Sequence, residues 1–297
     1  MKTQDQIALL MYARAREDFQ DMRKRMDNRL GRKADGSAQT LKERRFFAVE
    51  DVENFNLISM EARRNEKQVE KMLRQILDRF RIWGEWLSNI KGIGEIAAAW
   101  LIGSIDIEMA DTVSKIWQYA GLNPGMVRGK KRVPVKDYKA EHGEVCGIIK
   151  QDGKDKDYIV LTNTLIRGDR ATPGFILPYN KKLRVVLMGI LAPGFIKAKS
   201  EYALNYYYPM KARLEQETNP IDSVGTKDDG KPWCEVSKGH RDMAAKRYMI
   251  KNFLKDLYVA WRTLEGLPVR VPYAEEYLGK KHIGGELSYT AMQLSMV

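Results

Sequence analysis

Ile90-Lys91-Gly92-Ile93-Gly94-Glu95-Ile96-Ala97-Ala98-Ala99-Trp100 is the stretch on which the fold turns. An apolar helical pattern runs into it from Val69, and a second apolar run, Ile96 to Ile102, leaves it at once. Two glycines separated by one apolar residue allow a tight reversal, because glycine tolerates positive φ without a Cβ clash. The Ala-rich run that follows favours helix. The stretch therefore reads as helix, hairpin, helix. Backbone N–H groups of the hairpin and of the next first turn have no intrahelical acceptor. With a helix dipole behind them they suit a phosphate oxygen. Ile93 would pin the hairpin to the domain and Lys91 would add a cation at its rim. The plainer alternative is a close-packed corner between two helices, which also calls for glycine.

Upstream, Val69, Leu73, Ile76, Phe80, Trp83, Leu87 and Ile90 alternate spacings of four and three. That pattern predicts one long helix with an apolar seam. Its partner is either the first helix of this chain, in an antiparallel hairpin, or a second copy in a homodimer; the sequence leaves both open. The first helix is announced by Thr3-Gln4-Asp5-Gln6, a capping box, and continues through Ile7, Leu10, Met11, Phe19, Met22, Met26 and Leu30 to a stop at Gly31. A polar connector spans Gly31 to Thr40, and Thr40-Leu41-Lys42-Glu43 forms a second capping box. Asn54-Phe55-Asn56 is a candidate interruption of the helix after it.

The 297 residues carry a formal net charge of +12, with 44% hydrophobic and 30% charged residues. The chain is globular rather than disordered, and its excess of Lys and Arg favours an anionic polymer or surface as partner. No run of about 18 apolar residues suggests a membrane span, and Met1 to Gln20 does not read as a signal peptide. Two cysteines, Cys146 and Cys234, cannot build a disulfide scaffold, which fits a reducing compartment. The expected location is the cytoplasm, or the nucleoid of a host cell.

Past the hairpin, Asp111 reads as the N-cap of a short helix over Thr112 to Ala120, with Gly121 as its C′ residue. Arg128, Lys130, Lys131, Arg132, Lys136 and Lys139 then form a basic run, read as an extended loop or ribbon. Glu144 to Lys150 and Lys156 to Leu161 are β-prone, with a hairpin turn at Gln151-Asp152-Gly153. Helix resumes at Tyr179-Asn180-Lys181-Lys182-Leu183-Arg184 and runs to Pro193-Gly194. It starts again from Phe195 to Glu217, where Tyr202, Tyr206, Tyr207 and Tyr208 group together, read as half-buried rather than as a base-stacking platform. A last helix spans His240 to Leu264. It has Met243, Tyr248, Phe253, Leu257 and Trp261 on its apolar side, and Lys246, Arg247, Lys251 and Lys255 outside.

The expected architecture is mainly α. A long helical, coiled-coil-like region occupies 1–86 and a helix-hairpin-helix 87–125. A basic loop with a small β hairpin is inserted at 126–178, a helical domain at 179–265 completes the core, and a tail follows at 266–297. The candidate nucleic-acid contacts are Lys91, Gly92, Ile93, Gly94, Arg128, Lys130, Lys131, Arg132, Lys136, Lys181, Lys182 and Arg184. His142-x3-Cys146 and Cys234-x5-His240 could in principle supply zinc ligands, but each pair offers one residue of each type and the pairs lie far apart, which favours packing or surface roles. No cofactor, metal or catalytic residue is assigned.

Leu87 to Gly94, Ala97, Leu101-Ile102, Ile105-Asp106 and Tyr119-Ala120-Gly121-Leu122-Asn123-Pro124 keep an order and spacing that resembles the C-terminal helix-hairpin-helix domain of the IS-one-ten group of insertion-sequence transposases. Asn180-Lys181-Lys182-Leu183-Arg184 resembles the segment that follows in that family, and a coiled coil precedes the domain there too. The resemblance covers roughly 70–125 and 179–215. It implies DNA recombination, an N-terminal RNase-H-like domain with four metal-binding acids, and a serine nucleophile soon after Pro124. This chain departs from it. The acids near its start, Asp5, Glu17, Asp18 and Asp21, lie on a helical pattern, and no serine or threonine occurs between Pro124 and Thr162. The reading is a transposase-related DNA-binding protein without catalysis of its own, with RNA as the other polyanion. Two alternatives stand beside it. One is an active recombinase or nuclease using other residues or a partner; the other is a coiled-coil scaffold in which Gly92 and Gly94 only pack helices.

Overall fold

The computed structural model of the chain describes residues 3–30, 49–149, 157–221 and 228–270. The connector at 31–40, the capping box at Thr40, the turn Gln151-Asp152-Gly153 and the tail beyond Arg270 lie outside them. The fold is mainly α, with long N-terminal helices and one small antiparallel sheet. It divides into two compact units: residues 1–89 with 93–106, and residues 90–92 with 107–297.

The first unit is built on two long helices, α1 (Gln4–Arg29) and α2 (Val49–Leu77). The capping box at the start of α1 is formed as expected. Gln6 N–H donates to Thr3 Oγ1 at 3.2 Å, and Thr3 N–H to Gln6 Oε1 at 3.0 Å. Ion pairs give the direction of packing. Asp5 meets Arg79, Arg16 meets Glu70 and Glu66, and Asp27 meets Arg63, so the helices are antiparallel. The seam partner is therefore α1 of the same chain, and Val69, Leu73 and Ile76 are buried without a second copy. Asn54-Phe55-Asn56 does not interrupt α2.

The single long helix expected through Ile90 is not formed. The helix α2 ends at Leu77, where the N–H groups of Arg79 and Phe80 turn back to the carbonyls of Ile76 and Leu77. A five-residue helix, α3 (Arg81–Glu85), and a single 3-10 turn, Leu87–Asn89, follow. Leu77, Ile82 and Leu87 become the fully buried side chains, while Phe80, Trp83 and Ile90 are only half-buried. The spacing of the apolar residues survives the break because two tight turns return the chain to the same core. Helix α4 (Glu95–Ser104) then runs through it, with every side chain from Ala97 to Ser104 buried. The buried amide of Gln6 donates to the carbonyls of Ile102 and Ile105 at 2.9 and 3.0 Å, tying the start of α1 to the end of α4.

In the second unit, α5 (Val113–Tyr119) is capped by Thr112 rather than Asp111, which instead pairs with Lys115 at 2.8 Å. Gly121 takes φ +68 just past its end, the left-handed residue expected there. The insertion is a three-stranded sheet, not a hairpin. Strands β1 (Met126–Pro134), β2 (Glu144–Ile149) and β3 (Asp157–Arg167) pair antiparallel in the order β1-β3-β2. The basic run expected as a loop is thus mostly strand β1.

Helix α6 (Lys181–Val185) starts at Asn180, whose side chain accepts from Leu183 N–H at 3.0 Å. It does not end at Pro193. The chain passes through a π turn, Val186–Leu191, into α7 (Ala192–Lys197). A second π turn, Ala203–Tyr207, precedes Pro209 at the head of α8 (Tyr208–Gln216). Proline lacks an N–H and crowds the carbonyl four residues back. A widened turn before each proline resets the hydrogen-bond ladder, so the helix absorbs a residue that would otherwise break it. The true break falls at Lys199, a non-glycine residue at φ +48. Helix α9 (Lys238–Leu264), capped by Ser237, is the centre of this unit. The buried Arg262 donates to the carbonyls of Ile107 and Ala110, and Tyr258 donates to that of Asp111.

Candidate nucleic-acid interface

Gly92 has φ +99, and a Cβ there would stand 3.0 Å from the carbonyl oxygen of Gly194. A Cβ on Gly194 would stand 2.8 Å from the carbonyl oxygen of Gly92. Close packing of two backbones, the plainer of the two readings, accounts for this glycine. Gly94 differs. It is exposed and extended (φ −102), it caps α4 without a side-chain bond, and a Cβ would meet nothing within 4 Å. Its neighbour Glu95 sits in the first turn of α4 and pairs with Arg74 at 2.6 and 3.0 Å. The positive end of that helix therefore already carries a carboxylate. Lys91 is exposed and Ile93 half-buried.

The basic strand offers more. Arg128, Lys130, Lys131 and Arg132 all have exposed side chains, and among the described residues none has an ion-pair partner. Pairing with β3 holds them in register, opposite Leu165, Leu161, Val160 and Ile159. At the irregularity between Arg128 and Lys130, three residues of β3, Thr162–Thr164, face Gly129 alone. The Thr162 hydroxyl donates to the carbonyl of Gly129 at 3.0 Å. Gly129 is required here, since a Cβ would lie 2.5 Å from the ring of Phe175. The same ring carries Lys131 Nζ 4.6 Å from its centroid, and Ile176 N–H donates to Lys130 O at 2.7 Å, covering part of the open edge of β1. A paired strand thus presents cations on both faces, since successive side chains alternate. Lys136 lies just beyond, exposed in a 3-10 turn.

The α6 cations divide. Lys181 is exposed and Lys182 half-buried. Arg184 is directed inward, where its Nη1 donates to Asp169 O at 2.5 Å and its guanidinium lies 4.9 Å from the Tyr179 ring. There it joins residues that the sequence reading missed. The carboxylate of Asp169, buried at 5% exposure, accepts from Arg167 Nε at 3.0 Å. Arg247 of α9, expected outside, is half-buried, and its buried Nε makes no hydrogen bond among the described residues. Burial pushes its pKa down, and so do Arg184, Arg167 and Arg170, while Asp169 opposes them. Lys251, also expected outside, is half-buried 4.2 Å from the Trp117 ring centroid, and burial followed by the charge of Arg247 lowers its pKa. A signal existed. Residues 247, 251, 254 and 258 are spaced four, three and four apart, so Arg247 and Lys251 continue the stripe of the fully buried Leu254.

The tyrosine group is packing rather than platform. Tyr202 donates to Asp256 at 2.9 Å, Tyr207 donates to Asp242 at 2.5 Å, and Tyr206 is buried, leaving Tyr208 exposed. The histidines of the two pairs have other neighbours. His142 Nδ1 accepts from Lys139 N–H, and His240 faces Asp228 at 3.3 Å. Among the described residues no group of three or more His, Cys, Asp or Glu could hold a metal ion, and no helix is long and apolar enough to cross a membrane. No family model and no curated protein matches the chain.

Proposed function

We propose that the protein binds the phosphate backbone of DNA through the basic strand β1, with Lys136 extending the surface. The observation that carries this is the row of four exposed cations, Arg128, Lys130, Lys131 and Arg132, held on a paired strand with no ion-pair partner among the described residues. Such cations displace condensed counterions from a polyanion and read little base sequence. The transposase resemblance favours DNA over RNA and a setting in recombination. Lys91 is a secondary contact in this reading, and any strand cleavage belongs to a partner. The scaffold alternative draws on the Gly92–Gly194 packing but leaves the basic strand without a role.

The test is fluorescence anisotropy with labelled duplex DNA, single-stranded DNA and RNA across a salt series. Log affinity falls linearly with log salt, by about 0.9 per phosphate contact on duplex DNA. Affinity that is absent, or flat across moderate salt, refutes the reading. Nicking of labelled duplex by the purified protein with Mg²⁺ or Mn²⁺ would refute the absence of catalysis.

A further inference from the structure

Three rings meet at the far end of the basic strand. Tyr158 of β3 stands opposite Val133. Cross-strand partners share a face, so Tyr158 lies on the face of the sheet that also carries Lys131. Tyr138, just past the 3-10 turn Val135–Asp137, leans against it, with ring centroids 5.5 Å apart and planes at 44°. The His142 ring lies 6.4 Å from that of Tyr138. The backbone holds this group in place. The Tyr138 hydroxyl donates to the Gly143 carbonyl at 3.4 Å, and Lys139 N–H donates to His142 Nδ1 at 3.0 Å. Gly143 has φ +123, and a Cβ there would collide with the Leu161 carbonyl oxygen, so this turn is pressed onto β3. Tyr138 and Tyr158 are half-buried and His142 is exposed.

Charge changes along the same ribbon. Strand β1 carries Arg128, Lys130, Lys131 and Arg132 and no acid of its own. Around the rings, Lys136 and Lys139 alternate with Asp137, Glu141 and Glu144, and Lys139 pairs with Glu141 at 3.7 Å. A phosphate backbone suits the first stretch and an uncharged base suits the second. Proteins that hold single strands join these two parts, a basic track for the backbone and aromatic side chains on which unpaired bases stack. We propose that Tyr138, Tyr158 and His142 form a stacking site for an unpaired base of the DNA whose phosphates lie along β1. This site rests on the basic-strand reading for its phosphate contacts, and it narrows the substrate to DNA with an unpaired segment.

The full chain is titrated with two labelled single-stranded DNA oligonucleotides of equal length, one intact and one built of abasic residues, and with duplex DNA. The two single strands carry the same phosphates, so base contacts separate them. The intact strand binds on the order of tenfold tighter, the size of one stacked base. Y138L removes most of that preference. Circular dichroism checks its fold; if it does not fold, H142A, at an exposed position, is the second variant and reduces the preference. Equal binding of the intact and abasic strands by the unaltered chain overturns the proposal, as does a preference that survives in the folded variant. An RNA of the same sequence that binds tighter than the DNA overturns the assignment to DNA. Salt-dependent duplex binding without a base preference removes the stacking site alone. Absence of binding to every one of these probes removes the basic-strand reading with it.

Discussion

The helical pair α1–α2 and the strand β1 are both rich in arginine and lysine, and they use them in opposite ways. In the pair, the cations are answered by acids. Arg16 meets Glu66 and Glu70, Arg23 meets Glu66 and Asp27, Arg63 meets Asp27, and Arg79 meets Asp5. In β1, Arg128, Lys130, Lys131 and Arg132 have no such partner among the described residues. Charge in the pair holds two helices in register, while charge in the strand has no ion-pair partner among the described residues and is, in the proposed reading, available to a polyanion. A net charge of +12 says only that cations are in excess. Their pairing says where that excess is available.

The contrast breaks first at the strand. Replacing Arg128, Lys130, Lys131 and Arg132 together with Gln lowers duplex affinity by at least about a hundredfold and flattens the salt slope. Replacing Arg63 and Arg79, which have partners, leaves both nearly unchanged. Anisotropy titrations of the two variants decide between them; equal losses would erase the distinction.

The helical pair should respond in stability instead. Leu73 is fully buried on the α2 seam, and Leu73→Ala costs roughly 2–5 kcal/mol as the cavity forms. Urea unfolding measures this, and an unmoved midpoint would mean that α1 does not cover the seam.

A smaller effect is expected at Glu66, 6% exposed and shared by Arg16 and Arg23. Glu66→Gln costs about 1.5–3 kcal/mol, since it removes the acceptor charge of both arginines. The same unfolding assay with unaltered DNA binding would sharpen the comparison, whereas a loss of DNA affinity would blur it.

The smallest effect is a pH dependence. Burial alone would raise the pKa of Asp27, but hydrogen bonds from the Ser59 hydroxyl and Arg63 more than offset it, leaving a value below the ordinary 3.8. A carboxyl held down in the folded state stabilises it above the unfolded value, and that contribution is lost as pH falls through the folded one. The Tm difference between wild type and Asp27→Asn is therefore full at neutral pH and closes below about pH 4. A difference that stays constant under acid would remove Asp27 from the network.

Local signals were legible in the sequence because they act over a few residues. Thr3 and Gln6 sit one turn apart and close their box without help from the rest of the chain. Gly121 ends α5 because only a left-handed residue continues the chain there, and Ala97 to Ala99 favour helix wherever they are placed. The seam residues Val69, Leu73 and Ile76 were also correctly read as buried, since periodicity marks a face before its partner is known. Tertiary structure decided what depended on distant partners. The run Arg128 to Arg132 became a strand because Ile159 to Leu165 lay beside it, and a polar, charged ribbon does not order itself alone. Pro193 stayed inside a helix because a π turn and the packing of Gly194 on Gly92 accommodated it. Arg247 was drawn inward on α9 because neighbouring elements surround that stretch of the helix. A helical pattern shows which residues share a face, but the burial of a face is set by what packs against it.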